Sequence, residues 1–83
     1  MNKILIEVSV PFIEKKYDVF VPVNKKVRRV IIQLCEAINE LTNGSYIIKN
    51  NAILCDKVTG GMYNPDVLIK ESGLKNGTKV LLI

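Results

Sequence analysis

The stretch VRRVIIQLCEAINEL, residues 27–41, is a long segment of the chain with the periodicity of a helix. Its apolar side chains recur at intervals of three and four, so they lie on one stripe of an amphipathic helix of about four turns. A single apolar stripe needs one apolar layer to pack against, so the rest of the chain is expected to supply a sheet. The stripe consists of Val27, Val30, Ile31, Leu34, Ile38 and Leu41.

Signals at both ends set the limits of this helix. Pro22 ends the preceding segment, and Asn24 is of a residue type that commonly caps a helix N-terminus. TNG, residues 42–44, follows the stripe, and Gly44 can adopt the left-handed conformation that ends a helix. The sequence therefore predicts one helix that begins after Asn24 and ends before Gly44.

Two segments before the helix alternate with the period of a strand. KILIEVSV, residues 3–10, and YDVFV, residues 17–21, are separated by PFIEKK, in which Pro11 cannot donate to a ladder. This arrangement predicts an antiparallel hairpin. The predicted core faces consist of Ile4, Ile6, Val8 and Val10 in the first strand and Tyr17, Val19 and Val21 in the second.

Shorter elements follow the helix. We predict a third strand at SYIIK, residues 45–49, and a short fourth at AILC, residues 52–55. Asn64-Pro65 predicts a brief helical turn over residues 66–70. TKVLLI, residues 78–83, is predicted as the last strand, with Val80 and Leu82 on its core face.

This order of elements predicts an α+β fold of the β-grasp type. A mixed four- to five-stranded sheet would carry one long helix packed across it, with the N-terminal hairpin at the centre and the last strand beside the first. We expect a single domain over residues 1–83, because a chain of this length forms one core and 48% of its residues are hydrophobic.

The composition argues against metal and cofactor chemistry. The chain has no histidine, and two cysteines cannot supply the four ligands of a zinc site or an iron–sulfur cluster. We expect no cofactor and no metal. Cys35 and Cys55 are interpreted as reduced, packed thiols, although a disulfide stays open in principle.

Enzymatic activity and membrane insertion are not expected. None of the carboxylates at Glu7, Glu14, Asp18 and Asp56 has a sequence context that would tune it for acid–base work. No apolar run approaches the ~20 residues that span a bilayer, and no signal peptide is visible. These patterns predict a cytoplasmic, non-catalytic protein.

Four cations at the predicted start of the helix form a basic cluster, Lys25, Lys26, Arg28 and Arg29. They oppose the helix macrodipole, so the sequence breaks a local rule there. The cluster is either a docking patch for an acidic protein surface or anionic lipid, or a solvated helix face. Nucleic acid is not expected, because the cluster is short and lacks an adjacent aromatic platform.

An apolar set on the outer face of the sheet is the second candidate site. Leu5, Phe20, Leu81 and Ile83 lie opposite the predicted core stripes, and we expect them to line up across that face as a partner-binding surface. The alternatives are scattered exposure or burial under the loop at residues 56–66.

Several of these motifs resemble ubiquitin-like proteins, and the YukD/EsaB family in particular. That resemblance implies a small cytosolic protein that assists type VII secretion in Gram-positive bacteria through protein contacts, near a membrane-embedded FtsK-like ATPase, with no catalytic residue. The matching segments are Tyr17-Asp18-Val19, Val21-Pro22 before Asn24, the helix positions Val27, Val30, Ile31 and Leu34, and Gly73-Leu74-Lys75-Asn76-Gly77 before the last strand.

Two other functions stay open at this point. A ubiquitin-like modifier or sulfur carrier ends in Gly-Gly, whereas the last residues here are Leu81-Leu82-Ile83, and 22 residues follow Gly60-Gly61. That alternative is therefore disfavoured. A generic adaptor or a Ras-binding-like domain is the third interpretation.

Overall fold

Four strands and one long helix make up the part of the protein that the computed structural model describes, residues 2–48 and 50–83. Two single turns of 3₁₀ helix connect some of them. In chain order the elements are β1 (Lys3–Val10), a 3₁₀ turn (Pro11–Ile13), β2 (Lys15–Pro22), α1 (Val27–Leu41), β3 (Leu54–Asp56), a second 3₁₀ turn (Ile69–Glu71) and β4 (Lys79–Leu82).

The strands form one mixed sheet in the order β2-β1-β4-β3. β1 is antiparallel to β2 and parallel to β4, and β4 is antiparallel to β3. The α+β class, the β-grasp topology and the position of the last strand beside the first are confirmed. One detail differs, because β2 lies at an edge of this sheet. The N-terminal hairpin reaches from the centre to that edge and does not occupy the centre with both strands.

The core lies between α1 and one face of the sheet. The inward residues of the strands are those that the alternation predicts: Val8, Val10 and Val80 are fully buried. Leu34 and Ile38 are buried on the helix side. Leu41 is the exception on the stripe, since it is 67% exposed at the last position of the helix. Cys35, which lies off the predicted stripe, is buried instead, so the helix keeps six buried positions with Cys35 in place of Leu41.

The start of α1 is capped by backbone and not by a side chain. Its N-cap residue is Lys26, with no side-chain cap hydrogen bond, so the prediction that Asn24 caps the helix is wrong. The Val27 and Arg28 N–H groups donate to the Val67 and Pro65 carbonyl oxygens, each at 2.9 Å. These bonds satisfy two of the orphan donors of a helix N-terminus and fix residues 65–67 against it.

Two consecutive residues with left-handed backbone conformation end the helix. Asn43 has φ 53° and Gly44 has φ 83°. The Gly44 N–H donates to the Asn39 carbonyl oxygen at 2.8 Å, and the Asn43 N–H donates to the Glu40 carbonyl oxygen at 3.1 Å. This is a Schellman motif in which Asn43 occupies the position predicted for Gly44 and the glycine comes next.

The third strand predicted at residues 45–49 is not present over residues 45–48, and Lys49 lies outside the described residues. Tyr46 explains the difference. Its N–H donates to the Thr42 hydroxyl at 3.1 Å, and its carbonyl oxygen accepts from Asn39 Nδ2 at 2.7 Å. Both backbone groups of Tyr46 are thus used by the helix end and cannot join a ladder.

Two later elements are also shifted from their predicted places. The short strand predicted at residues 52–55 is β3 at Leu54–Asp56, and the helical turn predicted at residues 66–70 lies at Ile69–Glu71. The side chain of Asn64 accepts from the Asp66 N–H at 2.9 Å and so makes a local turn. Asn64-Pro65 therefore turns the chain without starting a helix.

Candidate protein-interaction surfaces

Leu5 and Phe20 are the first apolar pair on the outer face of the sheet. They are directly opposite each other in the β1–β2 register. Phe20 is 61% exposed and Leu5 is half-buried. Directly opposite residues share a face of the sheet. Because Phe20 is exposed, both residues lie on the outer face, as the alternation predicts. We call them the Phe20 pair.

Leu81 belongs to a second and separate apolar group. It lies opposite Ser9 in β1 and opposite Cys55 in β3. The next outward residue, Ile83, exchanges two backbone hydrogen bonds of 3.0 Å with Ile53. The backbone of Cys55 also forms an isolated antiparallel β-bridge with Met62, whose side chain is 60% exposed. This group, the Leu81 patch, consists of Leu81, Ile83, Ile53, Met62 and the buried Cys55.

A charged row separates the two apolar groups. Glu7 lies opposite Asp18 on one side and opposite Lys79 on the other. Beyond Lys79, the Lys57 ammonium is 3.9 Å from the Glu7 carboxylate and donates to the Ser9 hydroxyl at 3.3 Å. The expectation that Leu5, Phe20, Leu81 and Ile83 line up across the face is therefore wrong.

The parallel register is the physical reason for this correction. The Leu5 carbonyl oxygen accepts from the Gly77 N–H at 2.8 Å, so Leu5 is level with the turn before β4 and not with Leu81. A period of two tells which face a residue is on, but it does not tell how far along the neighbouring strand its partner lies.

The basic cluster is exposed at the start of α1. Arg28 forms an ion pair with Asp66. Within the described residues, Lys25, Lys26 and Arg29 have no carboxylate within ion-pair distance, and the first turn of α1 holds no acidic residue. The positive potentials of these three side chains and of the positive end of the helix dipole therefore reinforce one another at this corner. A shallow groove of about 450 Å³ runs among these side chains and Leu68.

An apolar groove lies beside the helix, and the sequence patterns did not predict it. It has a volume of about 520 Å³ and lies between α1 and residues 50–54 and 62–65. Ile31, Cys35 and Leu54 line it from the core, and Ile32 lines it at the surface with 46% exposure. The sequence contains one sign of this groove. Ile32 is a large aliphatic residue that lies off the buried stripe, on a helix face whose other residues are mostly polar.

Asp56 holds the loop that follows β3. One carboxylate oxygen accepts from the N–H groups of Val58 at 2.8 Å and Thr59 at 3.0 Å, and the other accepts from the Tyr63 hydroxyl at 3.0 Å. The N–H of Thr59, followed by that of Val58, lowers the pKa of Asp56. Burial and this carboxylate raise the pKa of Tyr63 to about 12. The Asp56 carboxylate, the two N–H groups and the Tyr63 hydroxyl therefore serve to hold the loop together.

The two cysteines are free and buried. The Cys35 sulfur lies 3.6 Å from the Tyr46 hydroxyl. Among the described residues, no group of three or more potential ligands is arranged to hold a metal ion. No helix in residues 2–48 or 50–83 is both long and apolar enough to cross a membrane.

Comparison with known proteins identifies the fold. No family model and no curated protein matches the sequence. Solved structures match it over its whole length. The ubiquitin-like domain of EccD5 from Mycobacterium xenopi has a TM-score of 0.81 at 13% identity, with 100% of this chain and 94% of that chain covered. The ubiquitin-like domain of the Mycobacterium tuberculosis type VII secretion protein EccD1 has a TM-score of 0.78 at 10% identity, with 100% and 99% covered.

The fold is the ubiquitin-like β-grasp. A third match is a chain of the MycP5-free ESX-5 inner membrane complex, with a TM-score of 0.82 at 13% identity; all of this chain is covered, but only 21% of that one. The present chain thus spans about a fifth of the length of that protein. At these identities the matches establish the fold alone.

Proposed function

We propose that this ubiquitin-like chain is a protein-interaction module of a type VII secretion machine, with an accessory or regulatory role like that of the YukD/EsaB family. Residues 1–83 would act as a single domain in the cytoplasm. The observation that carries the proposal is the whole-length match to two ubiquitin-like domains of the EccD type, TM-scores 0.81 and 0.78. The proposed partner is the cytoplasmic part of an FtsK-like secretion ATPase or a membrane component of the machine.

The proposed mechanism is docking without catalysis. The basic cluster lies at an exposed corner, where charges chiefly steer diffusional encounter. The Phe20 pair offers an apolar contact on a rigid sheet, and buried aromatic residues commonly hold a complex together. Leu81 would contribute through its own patch. Because the charged row separates that patch from the Phe20 pair, the two groups can bind different partners or different parts of one partner.

The test is surface plasmon resonance against the cytoplasmic part of an FtsK-like secretion ATPase from the same organism, at low and high salt. Reversal of Lys25, Lys26, Arg28 and Arg29 to Glu should slow association and flatten its salt dependence. Phe20→Ala should instead speed dissociation.

Ile47→Ala is the matched control. Ile47 is 69% exposed and lies outside both surfaces, so its replacement should leave both rates unchanged. If the wild-type protein shows no binding to the ATPase or to any membrane component of the same machine, the secretion role is wrong. If binding occurs with unchanged kinetics in the charge and Phe20 variants, the role stands and the surfaces are wrong.

A further inference from the structure

The apolar groove beside α1 lies next to the groove of the basic cluster. Arg28 and Ile32 line both. The two grooves, of about 520 Å³ and 450 Å³, are therefore adjacent and share these two side chains in their linings. We call these two neighbouring grooves the track, which is apolar along the middle of the helix and basic at the helix start.

The apolar half has the features of a surface recognition site. Ile31 and Cys35 are nearly buried and form its floor, while Ile32 and Met62 stand at its rim with 46% and 60% exposure. Tyr63 and Pro65 close the side opposite the helix. Exposed aliphatic side chains around a concave apolar floor favour a ligand that brings its own apolar side chains.

The basic half sets the charge of the ligand. The Asp66 carboxylate already forms an ion pair with Arg28, which lines both grooves. Lys25, Lys26 and Arg29 have no such partner within the described residues. The first helix N–H groups are already bonded to the carbonyl oxygens of residues 65 and 67. An anionic ligand would therefore be recognised by the three side chains and not by the helix backbone.

We propose that this track binds an extended peptide segment in which aliphatic residues are followed by acidic ones. The aliphatic side chains would lie in the groove lined by Ile31, Ile32 and Tyr63, and the carboxylates would reach Lys26, Arg29 and Lys25. The charge asymmetry of the track selects both the chemistry and the direction of the peptide. This inference deepens the proposed function and rests on it only for the biological setting, since peptide binding can be measured without any secretion component.

The probe is a fluorescein-labelled peptide with four alternating Val and Ile residues followed by four alternating Asp and Glu residues. One control peptide carries the same aliphatic half followed by four Lys residues, and another carries four Ser residues before the acidic half. Fluorescence anisotropy at low salt should give a dissociation constant on the order of 10–100 μM for the probe. The control peptides should bind at least about tenfold more weakly, because each lacks one of the two contacts.

Two variants and one matched control locate the site. Lys26→Glu combined with Arg29→Glu should weaken probe binding by roughly tenfold, since it removes and reverses several exposed charge contacts. Lys15→Glu combined with Lys16→Glu makes the same change in net charge on β2 and should leave affinity nearly unchanged. Ile32→Ser should weaken binding by about fivefold, because Ile32 is half exposed in the free protein.

Unfolding would not explain these losses. Acidic residues at a helix start are stabilising, so thermal melts of the Lys26 and Arg29 variant should match or exceed those of the wild type. Chemical-shift mapping with the probe should move the amides of Ile32 and Tyr63 and leave those of Phe20 in place.

Three results would overturn the proposal. One is equal binding of the Ser-containing acidic peptide. Another is an equal loss of affinity in the Lys15 and Lys16 control. The last is binding to phosphatidylglycerol vesicles that Ile32→Ser does not weaken, together with no binding of the probe. Probe binding without ATPase binding would refute the secretion role and retain this site, whereas ATPase binding without probe binding would retain the secretion role and refute this site.

Discussion

Tyr46 should be the anchor of the segment between α1 and β3, and its replacement measures how strongly that segment is held. The side chain is 4% exposed and belongs to the main core. Truncation of a buried aromatic residue to Ala costs about 3–5 kcal/mol, a large part of a total stability of ~5–15 kcal/mol. Tyr46→Phe removes only the contact of the hydroxyl with Cys35, so its cost should be about 0.5–1 kcal/mol.

Urea denaturation at pH 7, followed by circular dichroism, tests this prediction. We expect the midpoint to fall strongly for Tyr46→Ala and slightly for Tyr46→Phe, with the slope of the transition unchanged. Ile47→Ala is the control, because the neighbouring side chain is 69% exposed and its truncation should change stability by less than about 0.5 kcal/mol. A loss below about 1 kcal/mol for Tyr46→Ala would refute the anchoring role.

The pH dependence gives a second measure of the same site. Burial, followed by the hydrogen bond with Cys35, raises the pKa of Tyr46 to about 12, against an ordinary value of 10.0. The folded state thus favours the neutral phenol. The stabilisation that comes from the raised pKa of Tyr46 is complete below pH 10. It is lost as the pH rises from 10 through 12, at up to ~1.4 kcal/mol per pH unit. Tyr46→Phe should remove this part of the alkaline loss, and Tyr63→Phe should separately remove the share of Tyr63.

Three further perturbations test the core, the loop and the sheet face. Leu34→Asp should unfold the protein, because an unpaired buried carboxylate costs several kcal/mol; a thermal midpoint within a few degrees of wild type would contradict the helix orientation. In the wild type, the stabilisation from the lowered pKa of Asp56 is present above the unfolded-state pKa of ~4 and is lost as the pH falls through the folded-state value. Asp56→Asn should lack this acid loss, which urea titrations at pH 6 and pH 3 would detect. Phe20→Ala should change stability by less than about 0.5 kcal/mol, and a loss above ~2 kcal/mol in the same assay would place Phe20 in the core.

The elements with sustained periodicity could be predicted from the sequence. The alternation at residues 3–10 gave the correct inward face of β1, and the stripe from Val27 to Ile38 gave the buried side of α1. These patterns succeed because a face buried against one layer constrains every second or every third to fourth residue. The β-grasp topology then followed from the order of elements.

The errors have physical causes that the local sequence patterns do not show. Residues 45–48 combine an aromatic and two β-branched residues, which favours a strand, yet side chains of Thr42 and Asn39 bind the backbone of Tyr46 first. The charged row between the Phe20 pair and Leu81 depends on the register of β1 against β4, which no local pattern sets. The groove beside α1 needs residues from three separate segments to meet, so only Ile32 could have signalled it.

The place of β4 in the sheet has a consequence for how the chain folds. β4 lies between β1 and β3, yet it is the last strand in the sequence, and the Gly77 N–H closes onto Leu5 across more than 70 residues. Loop closure over such a separation is slow compared with hairpin or helix formation. During synthesis, β1, β2 and α1 leave the ribosome well before the strand that completes the sheet. Until β4 arrives, β1 has an open edge at the centre of the future sheet, and this edge is the place where a nascent chain would pair with another copy or with a chaperone.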